Sequence, residues 1–280
     1  MKLALATPTP EVKVPLPLAL LSGSFAERLA KAVCLGYDGV ELIVVRPGEL
    51  DPATIRSQVA EQKLEIAAIS SGALYTVDQL TLLAADADVS QRAAARLQAL
   101  IDFAAAVGAR LVTIGSFRGW LAGAGGERAR DKLVEILKKA AIYATERDVR
   151  LVLEPLNRYE TDAINNIGEA LVLLKEVGNS HLGLLLDTFH VNIEEPSVTE
   201  CFRQGMASGL LWHVHLGDSN RLPPGQGHID FARIVATLNE AGYVGYLCAE
   251  LLPHPDPDSA SAATIRYMRQ FVPAKKRGTD

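Results

Sequence analysis

Short apolar runs recur along this 280-residue chain, and most are followed by a segment whose apolar residues return at helical spacing. The runs are LALAT (Leu3 to Thr7), GVELIVV (Gly39 to Val45), LEIAAIS (Leu64 to Ser70) and RLVTIGS (Arg110 to Ser116). RLVLEPL (Arg150 to Leu156), LGLLLD (Leu182 to Asp187), LLWHVHL (Leu210 to Leu216) and GYLCAEL (Gly245 to Leu251) continue the series. Near-continuous apolar character, rather than strict alternation, is what a strand covered on both faces requires, as in a parallel sheet. Helical patterns lie between them: Phe25 to Leu35 before Gly36, Gln91 to Val107 before Gly108, Lys132 to Thr145, and Gly168 to Val177 before Gly178. Phe231 to Ala241 opens after Asp230, a good N-cap, and stops at Gly242, while a less distinct helix falls within Val198 to Met206.

Eight strands alternating with helices over about 250 residues have the length and rhythm of a closed barrel. The pattern therefore predicts an α/β fold, a single-domain (β/α)8 TIM barrel over residues 1–280, with residues 273–280 as a frayed tail. A doubly wound open sheet would usually carry a glycine-rich phosphate turn after an early strand, and neither GxGxxG nor GxxxxGK[ST] occurs. Nothing in the chain reads as a linker. The glycine-bearing stretch WLAGAGGE (Trp120 to Glu127) reads as an insertion over one barrel mouth.

In such a barrel the carboxyl ends of the strands form the active face. There the sequence becomes awkward. LLLDTFH (Leu184 to His190) sets Asp187 at the end of an apolar run, and a buried ionised carboxylate is costly unless paired, hydrogen-bonded or holding a cation. The same position on the strand before carries Glu154, the strand after offers His213 and His215 on one side, and the last strand ends in Glu250. Each of 154, 187, 215 and 250 lies about one βα unit from the next, so four consecutive strands present a carboxylate or imidazole at one height. Three crowded carboxylates repel, and a divalent cation is the simplest way to keep them ionised. The spacing thus predicts one divalent metal ion held by Glu154, Asp187, His215 and Glu250. Mn²⁺, Co²⁺ or Mg²⁺ suits this oxygen-rich set without thiolate. His213, deeper in its strand, is expected to be a hydrogen-bonded interior residue.

Composition narrows the partners. With 49% hydrophobic and 22% charged residues and a formal charge of −5, the chain lacks the basic stripe that phosphate backbones select, so no nucleic acid is expected. The basic KKRGTD at Lys275 to Asp280 reads as part of the solvated tail. Three cysteines, far apart and odd in number, suggest neither disulfides nor a thiolate zinc site, which suits a reducing cytoplasm. MKLALATPTPEVKV makes a poor signal peptide, and no run reaches the roughly 18 apolar residues a membrane span needs. A protein of the cytoplasm without a membrane partner is the expectation.

The stretches EPLNRYE (Glu154 to Glu160), LDTFHVNIEE (Leu186 to Glu195), HLGDSNR (His215 to Arg221) and AEL (Ala249 to Leu251) together resemble the sugar isomerase/epimerase barrels of the xylose isomerase-like superfamily, and within it the ketose 3-epimerases. The resemblance is strong over strands five to eight and general over residues 1–140. It implies a small-molecule sugar substrate and epimerisation of a ketose at C3 through an enediolate. Glu154 and Glu250 would then be the catalytic acid–base pair on opposite faces of the sugar as well as metal ligands. Glu160, His190 and Arg221 match the residues that hold the sugar's O1 to O3 region. Family habit implies a homo-oligomer, a dimer or tetramer. One departure is visible: Asp218 stands where such enzymes usually carry Glu, which bears on the sugar chosen rather than on the chemistry.

The same barrel and metal would also suit an isomerase of a related hydroxy-carbonyl, resembling hydroxypyruvate isomerase, or an inosose dehydratase. A metal-bearing barrel that only binds sugar would need neither Glu154 nor Glu250 as proton carriers. The DNA-repair nucleases of the superfamily would need a histidine-rich multi-zinc cluster and a basic face, against six histidines and net negative charge here. The Glu194–Glu195 pair reads as a solvated rim, and PPGQGHID (Pro223 to Asp230) as a tight turn into the next helix. Trp120 and Tyr75 are candidates for an apolar lid.

Overall fold

The computed structural model describes residues 1–273; residues 274–280, with the basic KKRGTD run and most of the expected frayed tail, lie outside the described residues. The strands are β1 (Lys2–Pro8), β2 (Gly39–Ile43), β3 (Glu65–Ser70), β4 (Leu111–Ile114), β5 (Arg150–Leu153), β6 (Leu182–Asp187), β7 (Leu211–Leu216) and β8 (Tyr246–Ala249). They pair in chain order, all parallel, and β8 returns to β1 through Lys2↔Tyr246 to Leu5↔Ala249. That last pairing closes the barrel and rules out the open, doubly wound sheet. Every apolar run named from the sequence became a strand, with ends shifted by a few residues at most.

The helices follow from local chemistry. α1 (Phe25–Leu35) starts at a capping box in which Ser24 and Glu27 satisfy each other's free amides, and stops at Gly36, whose φ of 93° lies in the left-handed region. α2 (Pro52–Glu61) and α3 (Ala73–Asp78) precede α4 (Ala87–Val107), which begins four residues earlier than its apolar repeat because Asp86 caps Asp88. α5 (Glu127–Thr145), α6 (Ile167–Val177), α7 (Thr188–Glu194), α8 (Val198–Ala207), α9 (Phe231–Glu240) and α10 (Pro257–Met268) complete the outer ring. As expected, Asp230 caps α9, accepting from the amide of Arg233 at 3.0 Å. Neither α2 nor α10 was read from the sequence: α2 buries only Ile55 and Val59, and the buried face of α10 mixes Ser261 and Thr264 with Ala260, Ile265 and Met268.

One contiguous apolar core runs between strands and helices, from Leu5 and Leu42 through Leu153 and Leu186 to Leu247. The barrel thereby fixes the height of whatever its strand ends carry. Among the described residues, no helix is long and apolar enough to cross a membrane.

Candidate metal-centred active site

Four adjacent strands deliver the four expected side chains to one place. Asp187 is the last residue of β6 and lies in register with His215 of β7, while Glu154 and Glu250 follow β5 and β8 directly. The amides of Glu154 and Glu250 still continue the ladder, donating to Ile114 O at 3.0 Å and Leu216 O at 3.2 Å, so both side chains leave a rigid backbone. One ligand atom from each of Glu154, Asp187, His215 and Glu250 lies within 4.8 Å of every other. His215 Nδ1 is 3.5 Å from Glu154 Oε1 and 3.4 Å from Glu250 Oε2.

Glu154 Oε1, Asp187 Oδ2 and His215 Nδ1 are buried and have no hydrogen-bond partner among the described residues. Unpartnered buried polar atoms are rare because each costs about 1–3 kcal/mol, and three converging on a point need a common partner. A divalent cation is the partner that suits two carboxylate oxygens and an imidazole nitrogen, so the residues fit the ion the spacing predicts. Asp187 divides its duties: Oδ1 caps α7, accepting from the amide of Phe189 at 2.8 Å, and Oδ2 faces the cluster.

The electrostatics separate the acids. Burial raises Glu154, with the nearby Glu250 charge adding to it, and burial pushes Asp187 up to about 7. Glu250 is buried too, but His215 and Arg221 outweigh the burial and hold it below the ordinary carboxylate range. Burial lowers His190 well below an ordinary imidazole, helped by the charge of Arg221, so this ring is neutral.

Glu160, His190 and Arg221 gather beside the cluster. Arg221 reaches Glu160 Oε1 through Nη1 at 2.8 Å and Glu250 Oε2 through Nη2 at 3.3 Å. His190 Nδ1 accepts from the amide of Asn157 at 3.3 Å, and its unpartnered Nε2 stands 3.8 Å from Asp187 Oδ2. Asn157 links the group further, donating to Glu160 Oε1 at 3.1 Å. Above them opens a cavity of about 500 Å³ lined by Glu154, Glu160, Arg221 and Glu250 at the polar end and by Leu16, Leu18, Tyr75, Trp120 and Leu252 elsewhere. The 120–127 stretch thus does lie at the mouth, where Leu121 N and Ala122 N bind the Asp162 carboxylate.

Some expectations change. Glu194 and Glu195 are fasteners rather than a solvated rim: Glu194 accepts from the Arg158 backbone and guanidinium, and Glu195 from Ile167 N at 2.8 Å. Asp218 faces away from a sugar-binding role, since its buried carboxylate accepts Gly225 N at 2.8 Å and Ile229 N at 3.1 Å and so folds the 223–229 turn. Residues the sequence reading passed over are Asn157, Gly115, Arg118 and Glu41. Arg118, wholly buried, donates to the carbonyls of Glu154 at 2.7 Å, Ala163 at 2.7 Å and Ile164 at 3.0 Å, and so holds the β5 loop. Glu41 had a signal, a lone acid inside an apolar strand, and His213 is its partner: Nε2 lies 2.7 Å from Glu41 Oε2.

A closed eight-stranded barrel with acids and an imidazole converging at its carboxyl-terminal mouth defines a (β/α)8 protein whose cluster could hold a metal ion. Residues 29–271 match the xylose isomerase-like TIM barrel family, and the chain belongs to it. L-ribulose 3-epimerase of Methylomonas sp. is 30% identical over 247 residues, covering 87% of this chain and 84% of that protein. D-psicose 3-epimerase of Enterocloster bolteae is 38% identical over 148 residues, so this chain spans about half of that relative's length (47%). The crystal structure of D-allulose 3-epimerase from Methylomonas sp. in complex with D-allulose superposes with a TM-score of 0.77 at 24% identity, covering 96% of this chain and 97% of that one, which shows the shared fold. The named relatives are sugar epimerases.

Proposed function

We propose that this protein epimerises a ketose at C3, using Glu154 and Glu250 as proton carriers around a site for one divalent cation. The observation that carries the reading is the set of three unpartnered ligand atoms beside two carboxyls whose proton affinities are pushed in opposite directions. Two acids of unlike character in one cavity are the mark of an acid–base pair.

A bound divalent cation supplies Lewis acidity and an anchor for the ketone and its neighbouring hydroxyl. Glu250, held ionised by His215 and Arg221, takes the proton from C3, and the carbon–hydrogen electron pair moves into an enediolate. Glu154 returns a proton to C3 from the other side, and the carbon is inverted. The reverse reaction exchanges the two roles. General acid–base help of this kind is typically worth ~10²–10⁴-fold. Neutral His190 and cationic Arg221 donate to the sugar's oxygens and Glu160 accepts from its hydroxyls, which fixes the plane of the substrate between the two carboxyls.

Three carboxylates and one imidazole favour Mn²⁺, Co²⁺ or Mg²⁺ over a structural zinc. The family resemblance supports a dimer or tetramer, which light scattering measures directly. The three uncrosslinked cysteines support a cytoplasmic protein. The deciding experiment is a panel of ketohexoses and ketopentoses, with hydroxypyruvate and inososes alongside, assayed with each metal in deuterium oxide. Epimerisation with one deuterium entering at C3 is expected; turnover of hydroxypyruvate alone would overturn the reading.

A further inference from the structure

Beneath the cation site lies a second buried group. Glu41 of β2, His213 and His215 of β7 and Cys248 of β8 also bring their polar atoms within 4.8 Å of one another. All four are buried, and Glu41 is wholly inaccessible. An ionised carboxylate this deep is costly unless it is hydrogen-bonded. Glu41 meets that cost through one oxygen: Oε2 lies 2.7 Å from His213 Nε2 and 3.1 Å from His215 Nε2. A carboxylate can only accept, so both imidazoles present Nε2–H to it. In a neutral ring the other nitrogen then carries the lone pair, and on His215 that nitrogen is Nδ1, the unpartnered atom between Glu154 and Glu250.

The backbone is arranged for this contact. The β2–β3 register shifts between Val40 and Glu41, and the β6–β7 register shifts between Leu184 and Leu185, just where Leu185 faces His213. Such irregularities re-aim side chains and cluster beside active sites. In the ladder Glu41 has Ala6 on one side and Ala68 on the other, small neighbours on either hand.

We propose that Glu41 is a positioning residue for the cation site: by accepting Nε2–H of His215, it fixes the tautomer and ring orientation that aim Nδ1 at the ion. The inference rests on the metal-site reading above. It concerns how tightly, and in what geometry, the ion is held, and Glu41 itself touches neither ion nor sugar. Carboxylates behind metal-bound histidines raise ligand basicity, and their loss typically costs about 10–100-fold in metal affinity. His213 shares the acceptor and braces the carboxylate from the other side, edge-on to His215 with ring centroids 5.1 Å apart.

The test is Co²⁺ binding to the wild-type chain and to Glu41→Gln, followed by competition with a chromophoric chelator and by the visible absorption of the bound ion. One Co²⁺ per chain is expected in both, with affinity about 10–100-fold weaker in the variant, altered ligand-field bands and an unchanged circular dichroism spectrum. A folded variant with wild-type affinity and spectrum would overturn the proposal. Should the variant not fold, ring-¹⁵N spectra of the Mg²⁺-loaded wild-type chain decide: Nε2–H on His215 is expected, and Nδ1–H overturns it. Two Co²⁺ per wild-type chain with a thiolate charge-transfer band would also overturn it, because Glu41 and Cys248 would then be ligands. A wild-type chain that takes up no divalent ion at all would instead remove the metal-site reading on which the proposal stands.

Discussion

Arg221 and Glu160, 61 residues apart, meet at 2.8 Å across the barrel mouth and tie the loop after β7 to the loop after β5. Arg221 makes this contact from a left-handed backbone, φ 59°, a conformation costly for a side chain of its size and common where function demands it. Its own amide donates to Asp218 O at 2.7 Å and its carbonyl accepts from Leu252 N at 2.8 Å, so the strained residue is held at both ends. The fork of its guanidinium spans Glu160 and Glu250 at once through two separate nitrogens, a geometry the shorter, single-nitrogen lysine does not match. Losing one charge-assisted hydrogen bond costs about 1.5–3 kcal/mol, or roughly 10–150-fold. Arg221→Lys is therefore expected to lose that factor in kcat/KM with metal content unchanged, read by steady-state kinetics and elemental analysis.

The four strand-end groups differ in what they should cost. Glu154→Gln and Glu250→Gln keep shape and hydrogen-bonding capacity but cannot exchange a proton, so turnover should vanish while the fold remains. Asp187→Ala and His215→Ala remove a ligand atom outright and should release the metal as well. Circular dichroism, metal analysis and a deuterium-exchange assay at C3 separate the two outcomes. Near-normal activity in Glu250→Gln would remove the proton-transfer scheme.

The barrel and the convergence of the four strand-end side chains were readable from the chain because both rest on periodic features. Parallel strands buried on two faces leave unbroken apolar runs, and strand-end residues one βα unit apart must share a height. Glu41 was not readable in this way. It lies mid-strand, and its partners on β7 are 172 and 174 residues away, so only closure of the barrel brings them together. Glu194 and Glu195 misled for the opposite reason: acids in polar loops look solvated, yet here they serve backbone amides that the loops leave unpaired. α2 and α10 begin with Asp-Pro, a proper helix start, but α2 buries only Ile55 and Val59, and the buried stripe of α10 includes the polar Ser261 and Thr264.

Gly115 offers a steric probe of Glu154. Its φ is −106°, outside the left-handed region. A Cβ there would lie 2.5 Å from Glu154 Oε2, nearer than such atoms approach, and the carboxyl would have to turn away. Misplacement of a reacting group by about 1 Å can cost about 10²-fold. Gly115→Ala should lower kcat by that order and weaken metal binding while leaving the melting profile cooperative. An unchanged kcat would mean that Glu154 acts from a different rotamer.

Metal affinity should depend on pH through the same cluster. Burial lifts Asp187 to about 7, so below that pH its carboxyl carries a proton in the metal-free protein, and an incoming cation must expel it. His215 acts in the same sense: burial opposes its protonation, but Glu41 and Glu250 outweigh burial and raise it well above an ordinary imidazole. Both shifts make protons compete with the ion on the acid side, so affinity rises with pH and the contribution from Asp187 levels off above about 7. Each proton displaced weakens binding about tenfold per pH unit below the pKa it leaves. Calorimetric titration of Mn²⁺ at pH 5.5, 6.5 and 7.5, in buffers of different ionisation enthalpy, should show weaker binding and more protons released at the lower pH. In Asp187→Asn the number of protons released at pH 5.5 should fall by about one, whatever affinity remains.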